Sequence, residues 1–135
     1  MKKVFKLGLD LHGVSDRATD FFSLITKLLV DNGHEVHLMT GSHKGERLDQ
    51  QLEAAGVTYT HLFSISDFLY KSGNPVRYDE NNNPWFSDEE WNEAKSIYAK
   101  QKKLDLSFDD TEVYGDYFEF PFAFIKIDMK DEKDT

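Results

Sequence analysis

The sequence predicts an α/β protein built on a parallel sheet covered by helices, and three observations carry that prediction. Short apolar runs alternate with helix-periodic segments along most of the chain. The runs end in acidic or Thr-Gly-Ser turns, and 135 residues is the length of one domain.

The elements follow in order. Residues 4–9 form a short apolar run that reads as a buried strand and stops at the turn Asp10-Leu11-His12-Gly13. Asp16 or Thr19 caps the next segment, where Phe21, Phe22, Leu24, Ile25, Leu28 and Leu29 recur at helical spacing until Asn32-Gly33 stops the helix. Residues 35–39 are a second strand ending at Thr40-Gly41-Ser42. A polar helix over 44–55, stopped by Gly56, and a third strand over 57–63 follow.

After Ser64 the pattern breaks. Residues 66–87 carry Gly73-Asn74-Pro75 and a run of asparagines before Pro84, and read as an inserted loop with room for a short hairpin arm at 76–78. A helix over 87–100 resumes the rhythm, with Ser87 and Glu90 spaced as a capping box. Residues 104–108 form a fourth strand running into Asp109-Asp110, residues 120–127 a fifth, and 128–135 a charged, frayed tail. The domain is thus expected to span 1–127, with neither an internal repeat nor a low-complexity segment.

Composition narrows the function. Hydrophobic residues make up 39% of the chain, enough for one core. A net charge of −9 argues against a general nucleic-acid or anionic-membrane binder, which needs clustered Lys and Arg to neutralise phosphates. It leaves room for a small phosphorylated substrate or a phosphorylated macromolecule, because one metal ion and one lysine reverse the field locally. With no cysteine, disulfides, thiolate nucleophiles and Cys-based zinc sites are excluded. His34, His37, His43 and His61 invite a zinc reading, but the spacing puts His34 and His37 on opposite faces of a strand and no cysteine completes a site, so no zinc site is expected. The first residues have no long apolar stretch and no window approaches a membrane span, so a cytoplasmic protein is expected.

In an open parallel sheet, ligands bind outside the carboxyl ends of the strands, near the point where strand order reverses. Asp10, Thr40-Gly41-Ser42 and Asp109-Asp110 stand at such ends. Carboxylates from two strands suit a hard cation such as Mg2+, and the Thr-Gly-Ser turn offers a hydroxyl and open N–H groups to a phosphate. A basic residue must offset the remaining charge; Lys95 is best placed, with Lys100, Lys102 and Lys103 as competitors. The bland alternatives are that Asp10, Thr40 and Asp109-Asp110 merely cap turns, and that Lys95 lies on a solvated helix face. Lys44 and Arg47 read as surface residues, and Trp85, Phe86 and Trp91 as core or lid packing.

These runs together resemble the haloacid-dehalogenase superfamily. Leu7-Gly8-Leu9-Asp10-Leu11-His12-Gly13 is similar to its first motif, Leu38-Met39-Thr40-Gly41-Ser42 to the second, Lys95 fits the third, and Asp109-Asp110 resembles the fourth. The resemblance implies a three-layer, Rossmann-like fold of about five parallel strands with a minimal cap. It implies an Mg2+-dependent phosphohydrolase in which Asp10 becomes an aspartyl-phosphate. Asp10, the backbone carbonyl of His12, Asp109 and Asp110 would hold the metal, while Thr40 and Lys95 hold the phosphoryl oxygens. His12 replaces the family's second aspartate and would act as the proton-transfer group. Two other functions compete. One is a phosphate- or metal-binding regulatory protein that has lost turnover at His12. The other is a phospho-receiver domain, disfavoured because the paired acids follow strand four and strand three ends at Phe63-Ser64.

Overall fold

The computed structural model describes residues 3–127; the predicted charged tail lies outside the described residues. Five strands form one parallel sheet: β1 (Lys6–Asp10), β2 (Glu35–Thr40), β3 (His61–Ser64), β6 (Leu106–Asp109) and β7 (Phe122–Phe124), in the order β3-β2-β1-β6-β7. The chain builds outward from β1 to β3, then crosses back over β1 to build β6 and β7. The reversal falls between β1 and β6, which pair from Leu7↔Leu106 to Leu9↔Phe108, and a ligand crevice belongs there. The predicted α/β architecture is the observed one.

Strand periodicity divides the core into two layers. Leu9, Val36 and Leu38 face α1 (Thr19–Asp31) and α2 (Glu46–Ala55), which contribute Phe22, Leu48, Leu52 and Ala55. Met39 and Phe63 face α3 (Ile65–Ser72) and α4 (Asp88–Lys102), which contribute Ile65, Leu69, Ala94, Tyr98 and Ala99. Three layers result. Gly8 is required in β1 because a Cβ there would collide with Ser107 Oγ and approach Met39 and Leu104 within 3 Å.

Several local expectations are corrected. Neither Asp16 nor Thr19 caps α1; its N-cap is Ala18, and the Asp16 carboxylate instead accepts from Gly13 N–H at 2.7 Å. Phe21, Leu24 and Leu28 lie on the outer face of α1, each about half exposed, because only one side of a helix laid on a sheet is covered. Residues 66–87, expected as an inserted loop or lid, begin within helix α3 and then form the expected hairpin arm. Ser64 caps α3 by accepting from Asp67 N–H, Ile65, Phe68 and Leu69 pack into the core, and β4 (Arg77–Tyr78) pairs antiparallel with β5 (Pro84–Trp85) as a small hairpin. Half of the expected capping box of α4 forms: Ser87 Oγ accepts from Glu90 N–H at 3.1 Å, while the Glu90 carboxylate accepts from Asn74 N–H instead of reaching back to Ser87. A short α5 (Glu112–Gly115) links β6 to β7.

Candidate active site at the strand reversal

Asp10 is the last residue of β1 and Asp109 the last of β6, so parallel pairing of the two strands brings both carboxylates to one point. Between them stands the Lys95 ammonium, 2.9 Å from Asp10 Oδ1 and 2.5 Å from Asp109 Oδ2. Lys95 is 2% exposed and among the largest fully buried side chains. The reason is its register on α4: Trp91, Ala94, Lys95 and Tyr98 form the helix stripe that meets the core. The solvated-face alternative for Lys95 is thereby excluded, and Lys100, Lys102 and Lys103 do not reach the cluster. Lys100 pairs with Glu119 and Lys102 lies over the Tyr98 ring. The Lys95 ammonium also lies 5.1 Å from the centre of the Tyr114 ring.

Asp110 completes the group: one carboxylate oxygen from each of Asp10, Asp109 and Asp110 lies within 4.8 Å of the others. Gly13 makes room for it. Its φ of +91° is the left-handed conformation glycine favours, and a Cβ there would overlap the Asp110 carboxylate. The turn Leu11–Ser15 is pinned beneath, Ser15 Oγ donating to Asp10 carbonyl at 2.7 Å.

Burial pushes the Asp10 carboxyl up to about 8; Lys95 opposes this, while the neighbouring Asp109 charge and Asp110 carboxyl reinforce it. Burial alone would lower Lys95, but the two carboxylates outweigh it and raise its pKa, so the ammonium stays charged. Three acidic side chains share one lysine at the edge of the core, a donor set that a divalent cation would complete by displacing the Asp10 proton.

Thr40 and His12 form a second, adjoining group. Thr40, at the end of β2, is fully buried; its Oγ1 accepts from Ser42 N–H at 3.2 Å and lies 3.5 Å from His12 Nδ1. His12 Nε2 lies 3.0 Å from Gln51 Oε1, so the ring is held from both sides by residues of β2 and α2. The loop after Thr40 is fixed by Asp67, which accepts from Lys44 N–H and pairs with His43, and by Ser66 Oγ, which donates to Gly41 carbonyl. Beside this loop a cleft of about 720 Å³ is lined by His12, Ser42, Lys44, Arg47 and Gln51 among others. Gln51 and Tyr114 were not anticipated from the sequence. Trp91 is packing, as expected, and donates to Tyr114 Oη at 2.9 Å; Trp85 is instead half exposed, stacked with Arg77.

No family model matches the chain, and no curated protein sequence matches it. Among solved structures, the chain is similar to a universal stress protein in complex with cAMP, with 9% identity and a TM-score of 0.47 over 94% of this chain and 100% of that one. That structure is not a haloacid-dehalogenase hydrolase, and the family identification made from the four motifs is corrected. The physical reason lies in the fold itself. Open parallel sheets of unrelated families bind ligands outside the carboxyl ends of their strands, so short motifs there mark a ligand crevice without marking descent. Among the described residues, no helix is long and apolar enough to cross a membrane.

Proposed function

We propose that the chain is an Mg2+-dependent phosphohydrolase acting on a phosphomonoester, with Asp10 as nucleophile. One observation carries this reading: three carboxylates from two adjacent strand ends converge, two of them on one buried lysine, at the point where strand order reverses. The donor set fits the ion. Oxygen ligands suit hard cations, and Mg2+ takes one or two carboxylates and keeps several waters; Asp10 and Asp110 would hold it, with Asp109 fixed by Lys95 and by Thr111 N–H at 3.0 Å. When bound, the ion would supply neutralisation of the phosphoryl oxygens.

The chain's own residues would do the rest. An Asp10 carboxylate oxygen attacks phosphorus, and the bond to the ester oxygen breaks. The departing oxygen takes a proton from the His12 imidazolium, whose ring Gln51 and Thr40 orient. Water, deprotonated by the now neutral His12, then attacks phosphorus of the aspartyl-phosphate, releasing inorganic phosphate and restoring the Asp10 carboxylate. Lys95 and Thr40 steady the charge that shifts onto the phosphoryl oxygens.

A second reading, metal and phosphate binding without turnover, is favoured by one fact. The hydrogen bonds of the His12 ring go to Gln51 and Thr40 rather than to Asp10. The test is hydrolysis of small phosphomonoesters with and without Mg2+, with Asp10→Asn as control and mass spectrometry to detect a phosphorylated Asp10. Mg2+-dependent turnover lost in Asp10→Asn supports the enzyme. Mg2+ binding that Asp110→Asn abolishes, with no turnover in either protein, supports the binding reading.

A further inference from the structure

At the opposite rim of the sheet, the amino ends of β2 and β3 gather a different set of donors. Glu35 and His37, two residues apart on β2, share one face, and parallel register sets His61 of β3 directly beside His37. Glu35 Oε1 lies 2.7 Å from His37 Nε2 and 4.0 Å from His61 Nδ1. The two imidazoles stack with centroids 4.1 Å apart, and one ligand atom from each of the three residues lies within 4.8 Å of the others.

We propose that Glu35, His37 and His61 form a binding site for a divalent transition metal of the zinc class. Two imidazoles and a carboxylate, with a fourth position open to solvent, are the donor set of open zinc sites. Around a tetrahedral centre with ligands at about 2.0–2.1 Å, neighbouring ligand atoms stand about 3.3 Å apart. The 2.7 and 4.0 Å separations lie on either side of that distance; to ligate, the His61 ring, 43% exposed, must turn out of its parallel stack on His37 and leave Thr60 Oγ1.

The surroundings are built for it. His37 is 1% exposed, and its other ring nitrogen lies 2.7 Å from Tyr98 Oη. A partner on the second nitrogen is what orients and tautomerically fixes a ligating histidine. A hydroxyl both donates and accepts, so Tyr98 serves the ring whether or not Nε2 carries a proton. Lys6 and Lys102 exert an opposing field on Glu35 and His37; the Glu35 carboxylate offsets it. His61 and Glu35, 43% and 31% exposed, form the entrance. Sequence spacing relates only His34 to His37 and leaves His61, though a candidate, without a partner. His34 instead turns away to accept from Phe5 N–H at 3.0 Å, and only strand register reveals His61 as the partner.

The test uses the full chain stripped with a chelator and held in saturating Mg2+, titrated with Zn2+ by calorimetry and with Co2+ by visible absorption. The expected result is one Zn2+ per chain and intense visible Co2+ bands from four-coordination. His61→Ala and Glu35→Gln, both at partly exposed positions, should each weaken Zn2+ at least tenfold, while Asp110→Asn leaves it unchanged. Wild-type affinity in His61→Ala, an equal loss in Asp110→Asn, or only the weak bands of six-coordinate Co2+ would each overturn the proposal.

Discussion

Asp10 holds its proton where an ordinary carboxyl has long lost it, and this has a consequence for stability. Its value is raised from 3.8 to about 8, first by burial. Between those pH values the folded chain binds a proton that the unfolded chain has released. The cost of ionising Asp10 is therefore absent below the lower value, grows as pH rises, and is complete above the upper one. Without divalent ions, melting temperature should fall as pH is raised through that window. Asp10→Asn should flatten the fall and melt higher than wild type at pH 8 to 9, and Mg2+ should stabilise wild type more than the variant. Thermal scans at several pH values check this; identical profiles for the two proteins would remove the buried-acid account. Gly13 matters for a different reason. Gly13→Ala places a side chain at φ +91° against the Asp110 carboxylate. It should cost at least about 1–2 kcal/mol from the left-handed backbone alone, and Mg2+ affinity measured by calorimetry should fall as Asp110 is displaced.

At the scale of elements, β1 and β6 meet so closely that one hydroxyl is stranded. Ser107 Oγ is the one buried side-chain polar atom among the described residues without a hydrogen-bond partner, and it lies over Gly8. Deleting an unsatisfied buried hydroxyl removes a desolvation cost of about 1–3 kcal/mol at the expense of a small void. Ser107→Ala should melt at or above the wild-type temperature, and a clear drop would mean that the hydroxyl has a partner. The alternation of strands and helices was legible because periods of 2 and 3.6 are local properties. So was the N-cap at Ser87. The α3 helix was legible in principle, since Ser64 precedes Ile65, Phe68 and Leu69 at helical spacing, but the turn residues after it dominated the reading. Lys95 was readable too, because it shares the stripe of Trp91, Ala94 and Tyr98. By contrast, Gln51 and His61 became partners of His12 and His37 only through helix placement and strand register, which no local pattern encodes.

For the molecule as a whole, a chain of net charge −9 repels anions at long range, yet the cleft beside Thr40 carries Lys44 and Arg47. Read from the sequence as ordinary surface residues, they are exposed and line the same cleft as His12. Lys44→Glu and Arg47→Glu should raise KM several-fold with little change in kcat, and the effect should shrink as salt screens the field. Steady-state kinetics at low and high ionic strength measure it; a loss confined to kcat would place these residues in the chemistry instead.

The seam between β1 and β6 also joins distant parts of the chain: Lys6 N–H donates to Asp105 across 99 residues. Contacts closing so long a loop carry the largest entropic cost and tend to form late. The first three strands and their helices can assemble while Asp10 still faces water, with neither Lys95 nor Asp109 beside it. The surroundings of Asp10 are therefore expected to be completed by this late pairing step. Refolding followed by Trp91 fluorescence and by Mg2+ binding should report a single shared rate. Metal binding that clearly precedes the fluorescence change would show that the acidic cluster assembles before the sheet is closed.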